Sequence, residues 1–308
     1  MGSKRLISVI IPTHNHGWEI EKTLYSLEHQ FGVFHEDYEI IVVNTNPKDQ
    51  LTFDVVKYFA TAFKNVRLIQ VYDEKKDLIK TACYGGNLGV RQFSKGELLL
   101  LCVDSARVPT GMVLNKMRNE FDKWGDNIVT TTTPYHFLKH YSDLSFTVEE
   151  CREAFLKTRW KQDIKCLFDY AAHTNISKSG RFNESTWLGV TKENFMKVNG
   201  YNEIFTDWSD YNLDLWRRFT RPRPEWGRQK VGILGLWGKI GLGLKVCVLE
   251  GEADFHLHHS MSDANRNFAT LKKLRITSWD EYEMQKDCIR ANLFRPDWGE
   301  GDCEEILF

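Results

Sequence analysis

Three apolar runs of strand length recur in the first third of the chain: "LISVIIPTHN" (residues 6–15), "YEIIVVNTN" (38–46) and "GELLLLCVDS" (96–105). Each ends in small polar residues, the pattern of a strand delivering a loop. Between them lie "GWEIEKTLYSLEHQF", with Trp18, Ile20, Leu24 and Leu27 at helical spacing, and "TFDVVKYFATAF". Alternation of apolar strands with helical stretches predicts βαβ units and a parallel sheet. Because the runs are continuously apolar rather than alternating, the sheet is expected to be covered by helices on both faces. Ligands of such sheets bind beyond the carboxyl ends of the strands, which here carry Thr13, His14, Asn15, Asn44, Asn46 and Asp104.

After Lys116 the pattern loosens. "NIVTTTTPYHF" predicts a strand, "TVEECREAFLKTRWKQDIKCLFDYAAH" a charged helical stretch, and "TNISKSGRFNEST" a polar loop. In "WSDYNLDLWRRF" Leu213, Trp216 and Phe219 fall on one face, so a helix is expected from about Asp210, with Ser209 or Asp210 as N-cap. A basic loop from Arg217 to Lys230 follows, read either as a solvated surface or as a lid over an anionic ligand. The later part of "GLGLKVCVLEGEADFHLHHS" alternates as a strand ending in histidines, and the acidic end "DWGEGDCEEILF" reads as a surface tail or lid.

Composition narrows the class. A formal net charge of −1 over 308 residues supplies no global field for a polyanion, so no nucleic-acid partner is expected. The seven cysteines form no CxxC pair, which argues against a zinc module or a disulfide framework and for reduced thiols in a cytoplasmic protein. The first residues read as neither signal peptide nor membrane span, and no transmembrane segment is expected anywhere, leaving peripheral membrane contact open.

Taken in order, these segments resemble glycosyltransferases of family 2, which have the GT-A fold. "SVIIPTHN" is similar to the opening nucleotide-binding strand, "EIIVVNTNPKD" to the strand usually ending in paired aspartates, and "GGNLGVRQFSKGELLLLCVDS" to the approach to the DxD motif. "WLGVTKENFMKVNGYNEIFTDWSDYNLDLWRR" looks like the acceptor half, and "HLHHSMSDANRN" like a histidine segment also seen in galactosyltransferase-type C-terminal segments. The chain departs from the pattern in three places. Asn44, Thr45 and Asn46 stand where paired aspartates are usual, Ala106 replaces the second DxD carboxylate, and Ser209 replaces the Glu of a Glu-Asp pair whose Asp210 remains.

The resemblance implies an α/β chain with a Rossmann-like, mostly parallel central sheet and an acceptor-side α+β half. The expected division is a nucleotide-sugar-binding half over 4–116, an acceptor-binding and catalytic half of the same domain over 117–263, and a C-terminal helical extension with an acidic tail over 264–308. It further implies transfer of a sugar from a nucleotide diphosphate sugar to a hydroxyl of a glycan or glycoconjugate acceptor, with inversion and with Asp210 as general base. Donor-site candidates are Pro12, Thr13, Asn15, Asn44, Asn46, Asp49, Asn87, Asp104 and Arg107; acceptor-site candidates are Trp187, Trp208 and Tyr211. Asp104 and His259, with His256 as competitor, are the candidate ligands of a manganese or magnesium ion. Arg107 offers another source of positive charge for the diphosphate, wholly or partly in place of metal, against the plainer reading of a solvated loop residue. The rival from another class is a non-catalytic nucleotide-sugar or glycan-binding module with a degenerate site.

Overall fold

The computed structural model describes residues 4–72, 82–137, 171–173, 187–203, 210–220, 241–256 and 297–308. Among them ten strands form one sheet: β1 (Ile7–Thr13), β2 (Tyr38–Asn44), β3 (Val66–Val71), β4 (Leu98–Cys102), β5 (Arg107–Pro109), β6 (Ile128–Phe137), β7 (Ala171–His173), β8 (Trp187–Thr191), β9 (Lys245–His256) and β10 (Cys303–Ile306). The helices are α1 (Gly17–Glu28), α2 (Gln50–Ala62), α3 (Ala82–Leu88), α4 (Val113–Trp124), α5 (Lys192–Lys197) and α6 (Asp210–Thr220). A π-turn over Gly89–Phe93 extends α3.

The sheet order is β10-β3-β2-β1-β4-β8-β6-β9-β5, with β7 on β6. Strands β3, β2, β1 and β4 are mutually parallel, the product of consecutive βαβ crossovers. β8 runs antiparallel to β4 and β6 antiparallel to β8, while β9 runs parallel to β6. Strands of both expected halves therefore share one sheet.

The side-chain period of two splits each central strand between two cores. Ile10, Ile41, Val43, Ile69, Leu99 and Leu101 face Tyr84 and Leu88 of α3, Phe195 of α5, and Tyr211, Leu215 and Phe219 of α6. Ile7, Val9, Ile11, Ile40, Val42, Leu98 and Leu100 face α1, α2 and α4, through Ile20, Leu24, Val56, Phe59, Leu114 and Phe121. The continuous burial of β1, β2 and β4 thus has the expected cause, helices on both faces. α4 stops at Gly125, whose φ of +70° is a conformation glycine adopts without a Cβ penalty.

Several expectations are corrected. Trp18, placed on the apolar face of α1, is 66% exposed, because two residues before Ile20 is about 200° of helix rotation, which turns it away from the buried side formed by Ile20, Leu24 and Leu27. The acidic end is no tail: Trp298 packs into the core and β10 pairs antiparallel with β3, closing one edge of the sheet. Ala171–His173, read as the end of a helical stretch, is strand β7. Arg217 and Arg218, assigned to the basic loop, belong to α6, where Arg218 is buried against Asp214 and the carbonyls of Val198 and Gly200. Residues 221–240, the rest of that loop, lie outside the described residues, as does most of the C-terminal extension. No helix among the described residues is long and apolar enough to cross a membrane.

Candidate functional site

The carboxyl ends of β1, β2 and β4 lie side by side, because β1 is central to the parallel strands. Several residues leaving these ends are bound to one another. Thr45 donates through its backbone N and its hydroxyl to the Thr13 carbonyl, at 3.0 and 3.1 Å. The Ser105 hydroxyl donates to Thr13 Oγ1 at 3.0 Å, and His14 Nδ1 lies 3.0 Å from Thr45 Oγ1. Asn15 takes φ of +61°, a left-handed conformation that asparagine tolerates better than most residues, and its Oδ1 accepts from Asn46 Nδ2 at 2.5 Å.

Where paired aspartates were the expected pattern, this end carries a line of amides. Asn44 is fully buried, donates to Gln70 Oε1 at 3.2 Å and accepts from the Asn46 backbone N at 3.0 Å. Asn46 and Asn15 are the members of this line that reach the surface. Asp49 caps α2: its carboxylate accepts from the backbone N of Thr52 at 3.2 Å and from its hydroxyl at 2.5 Å.

The turn after β4 is held from below by α1. Thr23 donates to the carbonyls of Ser105 (2.7 Å) and Arg107 (3.2 Å), and Ser26 to that of Pro109 (2.5 Å). Asp104 closes the turn itself, its Oδ1 accepting from the Ala106 backbone N at 2.9 Å. Arg107 is neither a solvated loop residue nor an uncompensated cation. It is buried on β5, with its guanidinium 3.4 Å from Asp254 on β9. Asp254, fully buried, also accepts from the Thr132 hydroxyl at 2.7 Å. The Nε of Arg107 has no hydrogen-bond partner among the described residues. The charge of Arg107 is therefore largely balanced inside the protein, and wholesale replacement of a metal's charge by this residue is not what the geometry offers.

Other candidates fall elsewhere. Asn87, expected at the donor site, is fully buried on α3: it donates to the Tyr201 carbonyl (2.9 Å) and Glu203 (3.0 Å) and accepts from the Tyr201 backbone N (2.7 Å). Its amide is consumed in pinning the 200–203 turn, so it is a structural bracket. Trp187, expected to stack on an acceptor sugar, has no exposed surface in the middle of the sheet, and Tyr211 is 3% exposed with its ring against Tyr201, so neither face is open to a sugar. Pro12 is buried within β1, beside Gly85. Asp210 is the first residue of α6. Trp208 and His259 lie outside the described residues.

The sequence reading missed Asp254, Thr132, Thr23 and Ser26. A signal for Asp254 existed: Glu252 and Asp254 fall two apart on the same face of a predicted strand, and carboxylates buried there require partners. The structure supplies them, Glu252 receiving Thr110, the Met112 backbone N and Lys116. Thr23 and Ser26 form a polar stripe between the apolar positions of α1, visible in sequence but without a named partner.

A divalent ion is implied by the fold family, and the donors at the strand tips do not suit one. Ala106 brings no oxygen ligand, Asp254 is engaged by Arg107 and Thr132, and no group of three or more His, Cys, Asp or Glu among the described residues is arranged to hold a metal ion. The described residues do not make up a metal site.

Comparison with known proteins agrees with this architecture. Solved structures similar to the chain include those of TarS and GalNAc-T7. Residues 1–349 of TarS from S. aureus, in complex with UDP, match with a TM-score of 0.52 at 16% identity, covering 81% of this chain and 60% of that one. GalNAc-T7 with UDP, GalNAc and Mn2+ matches with a TM-score of 0.53 at 13% identity, covering 92% and 50%. The chain thus spans about 60% of the TarS fragment and half of GalNAc-T7, and at these identities the likeness speaks for the fold. A comparison with curated protein sequences finds no match. The model of glycosyl transferase family 2 matches residues 8–171, more than half of the chain. By that match the chain belongs to glycosyl transferase family 2, and its sheet and flanking helices are the GT-A fold.

Proposed function

We propose that the protein is a glycosyltransferase that moves a sugar from a nucleotide diphosphate sugar to a hydroxyl of a glycan or glycoconjugate acceptor, inverting the anomeric centre. The observation that carries this reading is the convergence of Thr13, Asn15, Asn46 and Asp104 at the carboxyl ends of adjacent parallel strands, where an open α/β sheet binds its ligand. UDP is bound by the TarS structure and by GalNAc-T7, and UDP-GlcNAc by TarS, which makes uridine diphosphate sugars the first donors to test.

In this reading Asn15 and Asn46 border the base and ribose. An amide both donates and accepts, so the base edge is read without a carboxylate. Asp104 and Arg107 border the diphosphate, Arg107 contributing N–H donors more than net charge, since Asp254 balances it. Asp210 takes the proton of the acceptor hydroxyl as that oxygen displaces the nucleoside diphosphate in a single step. A divalent ion, where one binds, would neutralise the leaving diphosphate. The division into a donor half (4–116), an acceptor half (117–263) and a C-terminal extension belongs to the same proposal.

Calorimetry with UDP, GDP, UDP-GlcNAc and GDP-mannose, each with manganese, magnesium or EDTA, tests the donor site. Asp210→Asn tests the chemistry: nucleotide affinity should stay within about twofold while turnover falls roughly 10²- to 10⁴-fold. Nucleotide binding with no turnover in the native protein would favour the binding module instead. No binding under any condition would overturn the donor site.

A further inference from the structure

We propose that Tyr211 is a positioning residue for the reaction: through one buried hydrogen bond it sets the first turn of α6, and with it Asp210, against the tip of β4 that carries Asp104. This rests on the glycosyltransferase reading above and concerns how the start of α6 is held relative to the strand tip.

Tyr211 is the second residue of α6, adjacent to Asp210. Its hydroxyl donates to the carbonyl of Val103, the residue before Asp104, at 3.0 Å. The bond is buried, so water does not compete for either group, and loss of the hydroxyl removes a donor that solvent does not replace. The ring is fixed as well, edge-on to Tyr201 with centroids 5.8 Å apart. Tyr201 is in turn clamped through its backbone by Asn87. The far end of α6 is anchored separately: Arg218 binds the carbonyls of Val198 and Gly200, and the carbonyls of Arg218 and Phe219 receive the backbone N of Leu242 and Leu244. With one end so fixed, the Tyr211 hydroxyl is a contact that ties the other end to the β4 tip. The phenol is no acid or base here, because burial pushes its pKa well above the ordinary value. It acts through geometry alone.

The test compares Tyr211→Phe with Tyr84→Phe. Tyr84 is also fully buried and donates to a backbone carbonyl, that of Glu300 at 3.2 Å, at the edge of the sheet closed by β10. Both variants keep the ring and remove one buried hydroxyl, and thermal melts should show similar, modest losses of stability. Turnover is followed as release of UDP from UDP-GlcNAc by transfer to water, with UDP affinity measured by calorimetry.

The expected result is a 10- to 100-fold fall in kcat for Tyr211→Phe, on the scale that misplacing a reacting group costs, with the donor KM and UDP affinity within about twofold. Tyr84→Phe should keep the native kcat. A kcat for Tyr211→Phe within twofold of the native protein overturns the inference, as does an equal loss in both variants, which would mark a general effect of stability. If the native protein binds UDP and releases none from UDP-GlcNAc or GDP from GDP-mannose, the failure lies in the transferase reading and takes this inference with it.

Discussion

The two ends of the parallel strands are built on different chemistry. At the amino end, carboxylates are met by cations. Glu39 accepts from Ser8 (2.6 Å), from the Lys95 backbone N (2.6 Å) and from Arg67 (2.9 Å); Arg67 extends to Glu305 of β10 at 2.6 Å. Arg67 holds the Glu305 carboxyl below its ordinary value. Asp37 is clasped by Lys4 and Arg118. At the carboxyl end the strand tips present hydroxyls and amides bound to one another and to backbone, with Asp104 closing its own turn. Fixed ion pairs suit an end that only has to hold, since dismantling them is costly. Neutral donors and acceptors suit an end where a ligand must enter and leave, because they can exchange partners cheaply.

Arg107 and Asp254 interrupt this contrast, and breaking them should have the largest effect. Asp254→Ala leaves a buried guanidinium without its counter-charge and should cost about 3–5 kcal/mol in urea melts. Arg107→Met combined with it should recover a large part of that loss, because the orphaned charge goes too. A double variant as unstable as the single one would mean that the pair is not the unit.

At the amino end, Glu28 is the exception, a buried carboxyl with His35 3.3 Å away, and burial pushes its pKa up to about 8. The folded protein therefore holds a proton that the unfolded chain releases near its ordinary value of 4.5. Stability from this group is full below pH 4.5 and is lost as pH rises towards 8, with a slope of up to about 1.4 kcal/mol per pH unit. Glu28→Gln should remove that slope, so its melting temperature gains on the native protein between pH 5 and 8, without altering nucleotide affinity. Parallel pH profiles for the two proteins would show that Glu28 ionises normally.

Arg67→Ala should cost about 1–3 kcal/mol by loosening β10 from β3, again with UDP affinity unchanged; a change in affinity would mean that the two ends are coupled. Trp18→Ala, at a side chain 66% exposed, should shift stability by less than about 0.5 kcal/mol. A larger loss would mean that the exposed indole contributes to stability beyond its exposure.

Much of the fold was legible because it follows from local pattern. The runs at residues 6–15, 38–46 and 96–105 became β1, β2 and β4, and Ile20, Leu24 and Leu27 became the buried face of α1. β3 and β10 were missed: β3 is a short strand broken by Arg67 and Gln70, and β10 is an acidic edge strand defined by its partner rather than by hydrophobicity. Of the site, Asp104 and the start of α6 at Asp210 were placed by pattern. Asn87, Trp187 and Tyr211 were misjudged because sequence registers residue type and spacing, whereas exposure depends on which surface the residue meets after packing.

The sequence by itself determined the parallel strands β1, β2 and β4, the two covered faces, the polar strand tips and the family, since each depends on period, run length and the order of motifs along the chain. The sheet as a whole is mixed rather than mostly parallel, with β5, β7, β8 and β10 paired antiparallel. The tertiary structure alone decided that Arg107 meets Asp254 across 147 residues, that α1 holds the Asp104 turn through Thr23, and that Tyr211 binds the Val103 carbonyl just beyond β4. These are contacts between groups far apart in the chain. Their existence is set by how strands are ordered and helices are laid on them, and no local pattern encodes that order.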